Sequence, residues 1–120
     1  MNRMESLSSK EKALKIADLA DDKKGQDISV LEVNELTPMA DYFVIISGQN
    51  ENQVQAIARE IENTLADDGI EPHKIAGRNQ GRWILLDYQD IIVHIFHHQE
   101  REYYDLERLW ADAKKLLENA

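Results

Sequence analysis

Residues 42–46 read Tyr-Phe-Val-Ile-Ile, a run with no polar interruption, and no other segment limits the fold as strongly. A strand with one wet face alternates apolar and polar side chains, whereas a strand apolar at every position must be covered on both faces. The chain therefore needs a sheet with this strand near its centre and helices packed against it. Its 120 residues suit one domain, 1–120, with a modest core.

The flanking segments supply those layers. Ser8 and Glu11 have capping-box spacing, and Leu14, Ile16 and Ala17 give the helix that follows an apolar face, predicted to reach about Ala20. Asp27 to Val33 reads as a first strand, and Leu36-Thr37-Pro38-Met39-Ala40 as a connector, since proline removes a donor and biases Thr37 away from helix. After Ser47-Gly48, Asn50 and Gln53 form a second capping arrangement. Val54, Ile57, Ala58, Ile61 and Leu65 then follow at helical spacing, and Gly69 supplies a left-handed stop. Glu71 to Ala76 reads as a short edge strand. Arg82 to Tyr88 and Ile91 to His97 read as an antiparallel hairpin turned by Gln89-Asp90. Leu106, Leu109, Trp110, Ala113, Leu116 and Leu117 share one helical stripe, which predicts a long closing helix over Glu100 to Asn119. The expected fold is α/β, a single mixed sheet of four to five strands with flanking helices.

Charge and composition narrow the function. The net charge is -9, so bare nucleic acid should repel the chain, and a basic protein partner should attract it. No apolar stretch approaches the ~20 residues that cross a membrane, and Met1 to Lys10 lack the apolar run of a secretory signal. The chain has no cysteine, which excludes disulfides and thiolate chemistry and fits a reducing, cytoplasmic setting.

Three constellations are candidates for chemistry. His94, His97 and His98 could suggest a metal. On a continuous strand, however, His97 points away from the other two, and His94 and His98 lie roughly 13 Å apart, too far for one zinc bound at about 2.0–2.1 Å. Ser47-Gly48 before a helix offers backbone N–H groups to a phosphate, but no P-loop pattern surrounds it, and an ordinary strand-to-helix turn with an Asn cap explains the same residues. Asp41, Asp87 and Asp90 lie near strand ends, where turn formation is the simpler role; two-metal chemistry needs carboxylates that converge. No nucleophile elbow occurs. The expectation is no catalytic residue, no metal and no cofactor.

The aromatic residues point elsewhere. Trp83, Tyr88, Phe96, Tyr103, Tyr104 and Trp110 fall in the last third. Such residues build cores and also carry much of the energy of protein interfaces. Trp110 lies on the apolar stripe and reads as packing. Tyr103 and Tyr104 are adjacent in the first turn of the last helix, so they cannot both face the core, and at least one is free for a partner.

Four segments carry a resemblance. Asp41-Tyr42-Phe43-Val44-Ile45 with Ser47-Gly48, Trp83 to Tyr88, Ile92-Val93-His94-Ile95-Phe96, and Arg101 to Trp110 occur in the order found in the Iojap/RsfS family of ribosome silencing factors. The chain resembles that family over about Leu14 to Leu117. The resemblance implies a nucleotidyltransferase-like fold without the transferase's catalytic residues. It implies binding to the large ribosomal subunit through its fourteenth ribosomal protein, on the face that meets the small subunit. Occupying that face would block subunit joining and repress translation when nutrients are scarce. Carried over position by position, it marks Trp83, Asp87, His94, Tyr103, Tyr104 and Glu107 as partner-binding, with Arg101 as a neighbour. One departure is Gln89, where the family pattern has Gly, which leaves the turn type open. The alternatives are a nucleotide-binding or nucleotidyltransferase-like enzyme, and a large-subunit assembly factor using the same surface. An open sheet edge and an aromatic patch also admit a homodimer.

Overall fold

The computed structural model describes residues 7–119. Helix α1, Ser9–Asp22, starts at the expected capping box: Ser8 Oγ accepts from the Glu11 N–H at 3.2 Å, and the Ser8 N–H donates to Glu11 Oε1 at 3.0 Å. Strand β1 is Gln26–Glu32 and β2 is Tyr42–Gly48, buried along its whole length. Helix α2, Glu51–Asp67, is capped by Asn50 Oδ1, which accepts from the Gln53 N–H at 2.8 Å, and it buries Val54, Ile57, Ala58, Ile61 and Leu65 as the spacing predicts. Gly69 follows it in the left-handed region, at φ 82°. Short β3, Lys74–Ala76, precedes β4, Trp83–Asp87, and β5, Ile91–His97.

Among the described residues the strands form one sheet in the order β3-β4-β5-β2-β1-β6. The central pair β2 and β5 runs parallel, and every other neighbouring pair is antiparallel. The uninterrupted apolar run therefore occupies the centre, as its composition requires. Side chains alternate between two cores. Tyr42, Val44 and Ile46 of β2 join α1 and α2 on the first face, and Phe43 and Ile45 join Leu31, Val33, Ile92 and Phe96 on the second.

The end of the chain departs from the sequence reading. The expected helix over Glu100 to Asn119 is replaced by α3, His98–Tyr104, a single turn α4, Leu106–Leu109, and a sixth strand, β6, Lys114–Asn119. Asp105 breaks the helix by adopting φ 48°, ψ 55°, a left-handed conformation that Asp tolerates better than most residues. β6 then pairs antiparallel with β1, whose outer backbone groups would otherwise face solvent. The register steps from Val30↔Leu117 to Leu31↔Lys115, leaving Leu116 as the extra residue of a bulge. Leu116 and Leu117 pack on the first core, and Leu106 and Trp110 on the second. The helical stripe thus splits between the two sides of one sheet. Leu109, which the stripe placed in a core, is 74% exposed. No helix among the described residues is long and apolar enough to cross a membrane.

Candidate partner-binding surface

The hairpin register creates the site. Trp83 pairs with Phe96 and Leu85 with His94 across β4 and β5, so these four side chains share the second face. Trp83 stacks on Phe96 at 4.8 Å, and its indole N–H donates to His94 Nδ1 at 3.2 Å. Phe43 meets His94 edge-on at 5.2 Å on one side and Trp110 at 5.2 Å on the other. Tyr104 lies over Trp83 at 4.7 Å, and Tyr103 meets Tyr104 edge-on at 5.1 Å. Rings thus run continuously from half-buried Trp110 to Tyr103, which is 80% exposed, with Tyr104 at 46%. Edge-to-face and tilted contacts of this kind hold a rigid aromatic surface.

His94 sits inside this row. Because Nδ1 accepts from Trp83, the ring proton lies on Nε2, which is buried without a hydrogen-bond partner. Burial lowers the His94 pKa to about 4, so the ring is neutral near pH 7.

A polar cluster adjoins the rings. Arg101 of α3 donates from Nε to Glu107 Oε1 at 3.1 Å, from Nη1 to Ser47 Oγ at 3.0 Å and from Nη2 to Ser29 Oγ at 3.3 Å. Its Nη2 also pairs with Glu107 Oε2, to which the Ser29 hydroxyl donates at 2.9 Å. Burial opposes the charge on Glu107. The Arg101 hydrogen bonds and charge, with the Ser29 hydroxyl, outweigh it and hold the carboxyl below its ordinary range. Beyond this cluster the left-handed joint at Asp105 opens a hollow of about 600 Å³ lined by Glu102, Tyr103, Tyr104, Asp105, Arg108 and Leu109.

The structure thus brings Trp83, His94, Tyr103 and Tyr104 into one row, with Arg101 and Glu107 paired beside it. Asp87 lies at the far end of β4, roughly 13 Å from Trp83 at strand rise. There its Oδ1 accepts from the Gln89 N–H at 2.8 Å and stabilises the hairpin turn. Phe43 and Leu109 were not singled out in the sequence. Phe43 has the strand parity of His94, which is a usable signal, but the helical stripe masked Leu109.

The other constellations resolve into structural roles. The strand ends at His97, so His98 turns into α3, and the two rings stack at 4.7 Å instead of pointing apart. His97 Nδ1 accepts from the Gln99 N–H at 3.2 Å. Among the described residues no three His, Cys, Asp or Glu side chains converge on a point that could hold a metal ion. Ser47 engages Arg101, and a Cβ on Gly48 would come within 2.8 Å of Val54, so that glycine serves the tight entry into α2. The Asp90 carboxylate receives the Ser9 hydroxyl at 2.8 Å and the Lys12 ammonium at 2.9 Å, tying the hairpin turn to α1.

Comparison with known proteins bears on the family and the fold. The family model described as "Ribosomal silencing factor during starvation" matches residues 6–120. The Bacillus subtilis (strain 168) protein named ribosomal silencing factor RsfS is 48% identical over 101 residues, covering 83% of this chain and 86% of that protein. A Chromobacterium violaceum crystal structure matches with a TM-score of 0.82 at 31% identity, covering 88% of each chain. A Bacillus halodurans crystal structure matches with a TM-score of 0.75 at 40% identity, covering 83% of this chain and 94% of that one.

Proposed function

The chain belongs to the ribosomal silencing factor family, and from that premise we propose that it binds the large ribosomal subunit in the cytoplasm and sterically prevents the small subunit from joining. The partner in this reading is the fourteenth large-subunit ribosomal protein, and the outcome is repression of translation when nutrients are limiting. The action needs a surface and affinity, with no bond made or broken.

The observation that carries the reading is the row of rings ending in exposed Tyr103 and Tyr104. Rigid, partly exposed aromatics are the side chains that most often dominate protein interfaces. A net charge of -9 adds attraction for a basic ribosomal protein and disfavours direct contact with rRNA phosphates. The same rings are the surface through which two copies would pair, so a homodimer would compete with the subunit.

The test is sedimentation with isolated large subunits, repeated with small subunits added. Co-migration with fewer joined ribosomes is expected. Co-migration with joining unaffected would favour an assembly role, and no co-migration would overturn the reading. Sedimentation of the free protein across concentration reads the dimer.

A further inference from the structure

Helices α3 and α4 have seven and four residues, and neither fully buries a side chain. Segments this short do not hold a helical shape by themselves. Yet they carry Tyr103, Tyr104 and Leu109, the exposed part of the candidate surface. Something must fix their position on the sheet.

The polar cluster does this. Arg101 comes from α3 and Glu107 from α4, while Ser29 and Ser47 stand on β1 and β2 and are each 1% exposed. Side chains six apart on a continuous helix are rotated by roughly 240° and cannot meet. Arg101 and Glu107 do meet, because Asp105 reverses the chain between them, with its N–H donating to the Arg101 carbonyl at 2.8 Å. The pair therefore closes only when the joint is bent. Both carboxylate oxygens of Glu107 and three nitrogens of Arg101 are engaged internally, and the Arg101 side chain is 11% exposed. A partner recruiting these groups would compete with the cluster's own bonds, and breaking the pair would leave a charge half-buried and uncompensated.

We propose that Arg101 and Glu107 are positioning residues: together with Ser29 and Ser47 they latch the bent α3–α4 corner to the sheet and so present Tyr103, Tyr104 and Leu109 to the partner. The proposal rests on the binding reading above and assigns these two residues a role other than direct contact.

A charge swap separates the two roles, because an internal pair can be restored by exchanging its members and a pair of contacts to a fixed partner cannot. Affinity for isolated large subunits and backbone amide exchange across residues 98–110 would be measured for the full chain, Arg101→Glu, Glu107→Arg and the double swap. Each single variant is expected to weaken binding at least tenfold and to speed exchange across 98–110, with β2 and β5 unaffected. The double swap is expected to recover both. Weakened binding with unchanged exchange would overturn the proposal, as would single variants that change nothing. Glu107→Gln keeps the size of the side chain in case the swap does not fit: faster exchange with weaker binding supports the latch, and unchanged exchange overturns it. If the wild-type chain itself fails to bind subunits, the binding reading falls, and the exchange measurements still decide whether the pair holds the corner.

Discussion

One face of the sheet is closed by α1 and α2, two full amphipathic helices whose contacts with the strands are aliphatic apart from Tyr42 and Tyr88. The other is closed by the 33–41 connector and two helices of seven and four residues, and it holds Phe43, Trp83, His94, Phe96 and Trp110. Three of the four buried polar residues lie on the ring-bearing side: Ser29 and Ser47 accept from Arg101 of α3, and His94 accepts from Trp83, while His97 at the end of β5 has the opposite strand parity. The first face supplies stability by burying apolar area. The second uses less burial and more specific contacts, which keeps large rings near the surface in fixed orientations. A binding protein needs both, and here they lie back to back on the same strands.

The largest expected effect is on the first face. Ile57 is fully buried between α2 and the sheet, so Ile57→Ala should cost about 3 kcal/mol of stability. Urea unfolding reads this, and subunit affinity per folded molecule should stay the same. An affinity loss larger than the stability loss explains would break the division of labour between the faces.

Next comes an acid effect confined to the second face. His94 is neutral in the fold with its pKa near 4, whereas the unfolded chain takes up a proton below about 6.5. The unfolded state therefore binds more protons between those values. The stability that neutral His94 contributes is complete above pH 6.5 and is lost as pH falls towards 4. Its size is at most about 3 kcal/mol over that window. His94→Phe removes the titration, so its stability should fall less steeply than the wild type's between pH 6.5 and 4. Parallel curves would show that the ring is not held neutral.

A third test separates binding from folding. Tyr103→Ala removes an exposed ring and should change stability by less than about 0.5 kcal/mol. The same change should weaken large-subunit binding about tenfold, or roughly 1.4 kcal/mol. Equal losses in both quantities would assign Tyr103 to the core side of the comparison.

What could be read in the sequence follows the range of the interactions involved. The caps at Ser8 and Asn50, the α2 stripe and the central strand are set by neighbours within a few residues, and all appear where patterning places them. Residues 106–119 do not, because their helix-like spacing of leucines competes with an open edge on β1 far away in sequence, and the edge wins. The aromatic row was legible in part: Trp83, His94, Tyr103 and Tyr104 carried sequence signals, and the hairpin register joins them. The bonds from Arg101 to Ser29 and Ser47 span 72 and 54 residues. No local pattern announces such contacts, and for that reason the sequence offers Arg101 and Glu107 only as partner-binding residues by resemblance, whereas the fold pairs them with each other.

The smallest expected effect concerns the turn between β4 and β5, where the two faces share a backbone constraint. Gln89 adopts φ 75°, a left-handed conformation costing a residue with a Cβ about 1 kcal/mol relative to glycine. Two contacts hold it there: the Asp87 carboxylate accepts its N–H, and the Asp90 carboxylate is anchored to Ser9 and Lys12 on α1. Gln89→Gly keeps the backbone N–H and both contacts and removes the strained Cβ. It should raise stability by about 1 kcal/mol in urea unfolding, less whatever glycine's greater freedom returns to the unfolded chain. Subunit binding should not change, because the turn lies at the opposite end of β4 from Trp83. A loss of stability would mean that the glutamine side chain makes a contribution at the turn exceeding its strain. A gain in stability accompanied by weaker binding would show that the hairpin end belongs to the binding surface, and would return Asp87 to it.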